Sequence, residues 1–260
     1  MSKFSLVNRS TPRFAIALTL TTLATGFLAT ACSSGDGGTA AGGNTVKIVS
    51  SLPMTGSSLG QTQTIVNGIK QALEETNSTA CDGKIKIQYE ALDDATAAAG
   101  KWDSAQEISN ANKSVADKSV VAYIGTFNSG AAKLSIPILN KADLVMVSPA
   151  NTAVGLTKSG KGEKGEPEKY YPTGKRNYAR VVPADDLQGS AAANWAKSLG
   201  VKKVYILDDQ EVYGKGLADI FEASAKKQGL EVLGHEGIDP KASDYKALMT
   251  KIKALNPDLI

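Results

Sequence analysis

The sequence has one histidine, two cysteines and few aromatic residues, 6% of its 260 positions. A single histidine excludes a histidine-rich zinc site and gives no neighbouring support to a Ser-His-Asp set. His235 stands at the end of an apolar run and reads as structural. Cys32 falls in the leader region described below, which leaves Cys81 as one thiol that cannot form an internal disulfide. A surplus of one charge sign is also missing. The formal net charge is +3, but Lys3, Arg9 and Arg13 lie in a first segment without an acidic residue, and beyond it the two signs balance. No basic patch points to nucleic acid. No acidic block points to a disordered tail. The apolar run from Phe14 to Leu28 is shorter and richer in threonine than a spanning helix of roughly 20 apolar residues. A phosphate loop is absent too. Gly155-Leu-Thr-Lys-Ser-Gly160-Lys161 imitates one, but Gly162 holds the required Ser/Thr position.

What is present begins with a targeting signal. Lys3, Arg9 and Arg13 form a basic n-region, the apolar run follows, and Ala29-Thr30-Ala31 supplies small residues before Cys32. Residues 1–31 are therefore expected to be a signal peptide. Leu28-Ala29-Thr30-Ala31-Cys32 resembles a bacterial lipobox, which makes Cys32 the expected lipidation site and the new N-terminus. Residues 32–45, rich in Gly, Ser and Ala with a single charge, read as a flexible tether.

From Val46 the pattern is strand then helix, repeated. Strands are expected at 46–50, 84–91, 120–124, 144–147, 178–182, 203–207 and 230–235. Helices are expected at 61–76, 101–118, about 129–141, 187–199, 214–228 and 243–255. Pro137 should kink or split its helix. Lys158 to Asn177, rich in Lys, Glu, Gly and Pro, reads as an exposed excursion. Asp258-Leu259-Ile260 begins another strand, so the chain is expected to be the front part of a longer protein, its C-terminal part missing.

The organising stretch is Val120 to Thr157. Its two short apolar strands, joined by a helix, should be parallel, which places both following turns on one edge of a sheet. Those turns are Gly125-Thr-Phe-Asn128-Ser129-Gly130, in which Asn128 or Ser129 can cap the helix, and Ser148-Pro-Ala150-Asn151-Thr152. Uncharged hydroxyl-bearing turns suggest recognition of a small polar molecule. They do not suggest chemistry.

Ser129 followed by Ser148-Pro-Ala-Asn-Thr152 resembles the bacterial leucine/isoleucine/valine-binding proteins, periplasmic-binding proteins of the type I fold that deliver amino acids to ABC importers. The likeness runs from about Val46 to the last residue, with a second dense patch at Asp208-Asp-Gln-Glu-Val-Tyr213-Gly-Lys-Gly216. It implies the front part of an actinobacterial-type lipoprotein of α/β class: two Rossmann-like lobes with mostly parallel sheets, at 46–180 and 181–260. It places Ser129, Ala150 and Thr152 on the family's ligand-contacting positions, and Tyr213 on an aromatic contact from the second lobe. Leu59 stands near the family's first-turn aromatic, and Asn128 and Asn151 flank the contacts as secondary candidates. The family's acidic partner for the ligand ammonium falls beyond Ile260.

The expected function is an extracytoplasmic, lipid-anchored solute-binding protein for a branched-chain or other aliphatic amino acid. Its partners would be an ABC permease and ATPase, with the membrane reached through the N-terminal lipid. No catalytic residue, metal or cofactor is expected. A second reading is a ligand-sensing receptor domain of the same fold, for amides, urea or short peptides. A third is a secreted enzyme using Asp93-Asp94 or Asp208-Asp209, although such pairs at strand ends more often cap or bond a loop. Ser129→Ala and Thr152→Ala are each expected to weaken binding with little change in stability.

Overall fold

Eight residues from Thr45 to Leu52 form β1, the centre around which the first sheet assembles. The computed structural model describes residues 44–260, so the signal peptide, Cys32 and most of the tether lie outside the described residues. Burial deepens along β1 until Val49, Ser50, Ser51 and Leu52 are sealed off, as expected of a strand covered on both faces. Helix α1 (Leu59–Glu75) follows, then β2 (Thr79–Ala80) and β3 (Ile85–Asp93). A small hairpin, β4 (Ala95–Thr96) and β5 (Lys101–Trp102), precedes α2 (Ser104–Ala116). The sequence reading began this helix at Lys101. Asp103 decides otherwise, because its carboxylate accepts from the Ala105 and Gln106 amides at 2.9 and 3.0 Å and fixes the start three residues later, at Ser104.

Strand β6 (Val120–Gly125), helix α3 (Ser129–Lys141) and β7 (Val145–Ser148) form the expected unit, and β6 pairs in parallel with β7. Pro137 sits inside α3 without splitting it. After the excursion, β8 (Tyr178–Arg180) pairs in parallel with β7, giving the order β2-β3-β1-β6-β7-β8 with only β2 antiparallel. Tyr123, Ile136, Leu139, Met146 and Leu156 fill the core beside it.

The excursion is not simply exposed. Tyr170 and Tyr171 are 4% and 5% accessible and belong to the same core. Glu166 is buried beside Gly155 and Gly162, where a side chain in place of either glycine hydrogen would overlap its carboxylate. Burial alone would push the Glu166 carboxyl up, yet the Tyr170 hydroxyl, the Lys133 ammonium and the Glu163 amide hold it at about 2. Composition marked this segment as polar. Three anchoring side chains pull it onto the body.

The second sheet is built from β9 (Lys203–Asp208) and β10 (Glu231–Gly237), parallel, with Leu259 bridging to Val204 on the other side of β9. Helices α4 (Asp185–Ser198) and α5 (Val212–Lys227) cover it through Ala193, Ala196 and Ala225, and α6 (Lys246–Leu255) follows β10. Among the described residues no helix is long and apolar enough to cross a membrane.

Candidate functional site

Strand order reverses around β1, with β3 on one side and β6 on the other, and the carboxyl ends of β1, β6 and β7 share one edge. In open parallel sheets a ligand crevice forms at such a point. Two turns are braced together there. Ser148 Oγ donates to the Thr126 carbonyl at 2.9 Å and accepts from the Ala150 and Asn151 amides at 3.1 and 2.8 Å. Asn151 Nδ2 donates to Thr126 Oγ1 at 3.3 Å and to the Phe127 carbonyl at 3.1 Å, while its Oδ1 accepts from the Tyr178 hydroxyl at 3.1 Å. Arg180 donates to the carbonyls of Asn151 and Ala153 at 3.2 and 2.8 Å. The Asn151 side chain is therefore engaged in positioning the turns. Its value to a site is the geometry it fixes.

Ser129 opens α3 and is 2% accessible, and its Oγ accepts from the Thr152 and Ala153 amides at 3.3 Å each. Asn128 occupies the cap position of α3, but its side chain makes no cap bond. The first-turn amides thus keep their donor capacity, at the end of the helix where the dipole favours an anion. Among the described residues, six buried side-chain polar atoms have no hydrogen-bond partner. Four of these belong to residues at this edge or bonded to it: Asn128 Oδ1, Thr152 Oγ1 and both oxygens of Asp185. Buried polar atoms are nearly always paired, so such a concentration calls for an explanation.

Asp185 is the residue that sequence reasoning missed. It opens α4, is 1% accessible, and its amide donates to the Thr152 carbonyl at 2.9 Å. Burial raises its pKa, while the Thr152 hydroxyl and the Arg180 guanidinium pull the other way. Asp185 and Asp186 read in sequence as ordinary acidic residues at a helix start. Lys158 binds Asp186 at 2.7 and 2.8 Å, which leaves Asp185 as the carboxylate turned to the site.

A cleft of about 560 Å³ opens between this edge and α5, lined by Lys133, Ala153, Asp185, Glu211, Val212 and Lys215 among others. Its far wall is tied to the β4-β5 hairpin, since Glu211 forms an ion pair with Lys101 and accepts from Trp102 Nε1 at 3.3 Å. Trp102 in turn lies against Gly130, where an added Cβ would come within 2.8 Å of its ring. Tyr213, the second residue of α5, is 40% accessible, and its hydroxyl accepts from Gln188 at 3.3 Å. Leu59, the first residue of α1, is 42% accessible. Neither belongs to the buried set. The Ala150 carbonyl receives no hydrogen bond from the described residues.

The paired aspartates divide. Asp93 accepts from the Met54 and Ala95 amides at 2.7 and 2.8 Å, the loop role expected of it. Asp94 has no partner for either oxygen and is fully buried, against the expectation of capping. Asp209 and Asp208 accept from the Glu211 and Gln210 amides at 3.0 and 2.6 Å, the expected loop role, and Asp208 Oδ2 also lies 3.1 Å from His235 Nε2.

The geometry also separates the two hydroxyl variants. Ser129 Oγ braces the second turn, so Ser129→Ala is expected to cost about 1 kcal/mol of stability as well as affinity. Thr152 Oγ1 makes no hydrogen bond to either turn and faces only the Asp185 carboxylate, so Thr152→Ala is expected to lower affinity with a smaller stability change than Ser129→Ala. Paired urea titrations and calorimetry of both variants check this. Equal stability losses would show that Thr152 is structural too.

Comparison with known proteins adds the lineage. Residues 45–260 match the family model described as periplasmic binding protein. The Leu/Ile/Val-binding protein BraC3 of Rhizobium johnstonii is 31% identical over 209 residues, covering 80% of this chain and 51% of that protein. The chain thus spans about half the length of the curated relatives it matches. Among solved structures, a leucine-binding protein LivK from Thermotoga maritima is 26% identical with a TM-score of 0.68, over 82% of this chain and 55% of that one. The branched-chain amino acid transporter substrate-binding protein LivJ from Streptococcus pneumoniae, solved with isoleucine, is 25% identical with a TM-score of 0.67, over 83% and 56%. The match over 45–260 and the parallel sheets with their reversed strand order agree, and the chain belongs to the periplasmic binding protein family, type I in fold and similar to its leucine/isoleucine/valine-binding members.

Proposed function

We propose that the protein captures a small zwitterion, in first place a branched-chain or other aliphatic amino acid, and hands it to an ABC importer. The observation that supports this reading is that Thr152 is held between Ser129 at the start of α3 and Asp185 at the start of α4, where the Asn128, Thr152 and Asp185 side-chain oxygens lack partners. A carboxylate needs donors, which the α3 amides and the Ser129 and Thr152 hydroxyls offer. An ammonium needs acceptors, which Asp185 and the Ala150 carbonyl offer. Charge-assisted contacts of this kind are about twice as strong as neutral ones. The relatives named for leucine, isoleucine and valine support the same class. Tyr213 would close over the ligand from α5, the lobe movement of hinge-closing binders. Leu59 would border the side-chain end.

Anchoring is part of the proposal. Cys32 carries the lipid and the Gly/Ser-rich stretch behind it holds the protein at the outer face of the membrane. A mass of the mature N-terminus without lipid would end that part. The ligand reading is tested by a thermal-shift screen of the complete gene product against amino acids, amides, ureas and short peptides. A ligand at 100 times its Kd adds about 2.7 kcal/mol of native stability. Leucine, isoleucine or valine should produce the largest rise. A response to amides or ureas alone would favour the sensor reading, and no response to any zwitterion would refute capture.

A further inference from the structure

His235 is set between carboxylates on both sides of its ring. Nε2 lies 3.1 Å from Asp208 Oδ2, on the neighbouring strand β9. Nδ1 lies 2.8 Å from Glu222 Oε2 and 3.9 Å from Asp219 Oδ1, both on α5. The ring is largely buried at 14% accessible, Asp208 more so at 5%, while Glu222 and Asp219 reach solvent at 24% and 51%. Residues 219 and 222 are three apart and so share one helix face. One ligand atom from each of Asp219, Glu222 and His235 fits within a 4.8 Å span.

A neutral imidazole has one N–H and one lone pair. Asp208 is the buried acceptor on the Nε2 side, fixed further by the Gln210 amide at 2.6 Å, and it can hold an Nε2–H and so orient the ring. Nδ1 then faces the Glu222 carboxylate at 2.8 Å. Lys226 binds the other oxygen of Glu222 at 2.6 Å, and Lys215 binds Asp219 Oδ2 and Oδ1 at 2.7 and 3.0 Å, so a metal ion would draw both carboxylates partly away from exposed lysines.

We propose that Asp219, Glu222 and His235 bind a divalent transition-metal ion of the zinc class, with Asp208 orienting the histidine. Ligands about 2.1 Å from zinc in tetrahedral geometry stand about 3.4 Å apart. The 2.8 and 3.9 Å distances from Nδ1 bracket that separation, so small rotations of two partly exposed side chains complete the set. A metal-bound histidine that donates its other nitrogen to a carboxylate is the usual supporting arrangement. Imidazole with two carboxylates suits zinc, nickel or copper better than magnesium or calcium, which prefer all-oxygen sets. A fourth position faces solvent, and Asp219 also lines the cleft described above. The ion would tie α5, whose N-terminal end forms the cleft's far wall, to β10.

The test uses the purified protein with Cys32 and Cys81 changed to Ser, so that neither thiol competes, after removal of metal by a chelator. Zinc chloride should bind with a stoichiometry of one by calorimetry and raise Tm, whereas magnesium and calcium should do neither. Glu222→Gln and Asp219→Asn, at partly exposed positions, should each weaken zinc binding at least tenfold. Asp208→Asn should weaken it about tenfold through the histidine. Absence of zinc binding would overturn the proposal. Equal binding by the parent and both α5 variants would overturn it as well.

Discussion

Asp94→Asn is expected to abolish most of a fall in stability that the parent protein shows as pH rises from about 4 to about 8. Asp94 is fully buried with neither oxygen bonded, and burial, Glu107 and Asp93 together push its carboxyl from 3.8 up to about 8. Glu107, equally buried, is raised to about 7 by burial, although the Ser51, Ser135 and Tyr123 hydroxyls draw it back. A folded-state pKa above the unfolded one means the native state holds the extra proton between the two values. Stability is then greatest below the unfolded value and is lost as pH rises, by about 1.4 kcal/mol per pH unit for each such proton. The loss ends near pH 8, where the folded protein also gives up the proton. Asn carries no charge, so the variant should match the parent near pH 4.5 and exceed it by several kcal/mol at pH 8. Urea titrations of both proteins at pH 4.5, 6, 7 and 8 decide the matter. Parallel pH profiles would mean that Asp94 finds a partner or water and is not the source.

Asp185→Asn should move affinity and stability in opposite directions. The carboxylate is 1% accessible, unpartnered and raised by burial, so the bare protein gains when the charge is removed. A bound ammonium loses a charged acceptor, worth about 1.5–3 kcal/mol, or at least tenfold in Kd. The expected result is a higher midpoint in urea together with weaker binding of whichever amino acid the screen identifies. This opposition is the mark of a binding group held ready at some cost to the fold. If affinity stays level while stability rises, Asp185 is an incidental buried acid and the ammonium site lies elsewhere. Neutral ligands, if any bind, should tolerate the change.

The two variants test different things although both concern a lone buried carboxylate. Asp94 lies under α2 beside Glu107, away from the cleft lining, and its effect should appear without ligand. Asp185 lines the cleft, and its effect should depend on what is bound there.

Local rules carried the sequence reading a long way. Short apolar runs separated by amphipathic stretches located β1, β3, β6, β7, β9 and β10 to within a few residues, because periodicity is a property of neighbours in the chain. Parallel pairing of β6 and β7 followed from the helix between them, and it brought Ser129 and Thr152 to one edge, where the structure holds them 3.3 Å apart. Asp93 and Asp94 were indistinguishable at this level. In the fold, one meets two amides and the other meets none. Asp185 lies 33 positions beyond Thr152, across a segment that composition marks as loop, and nothing local shows that β8 returns it to the same edge. Tyr170 and Tyr171 were hidden among Lys and Glu, and His235 lies 13 and 27 positions beyond Glu222 and Asp208, the carboxylates it meets in the fold. Sequence determines which elements form, since strand and helix periods and caps act over a few residues. Only the tertiary structure decides which polar groups lose their water and which partners they meet, because burial is set by segments far apart in the chain.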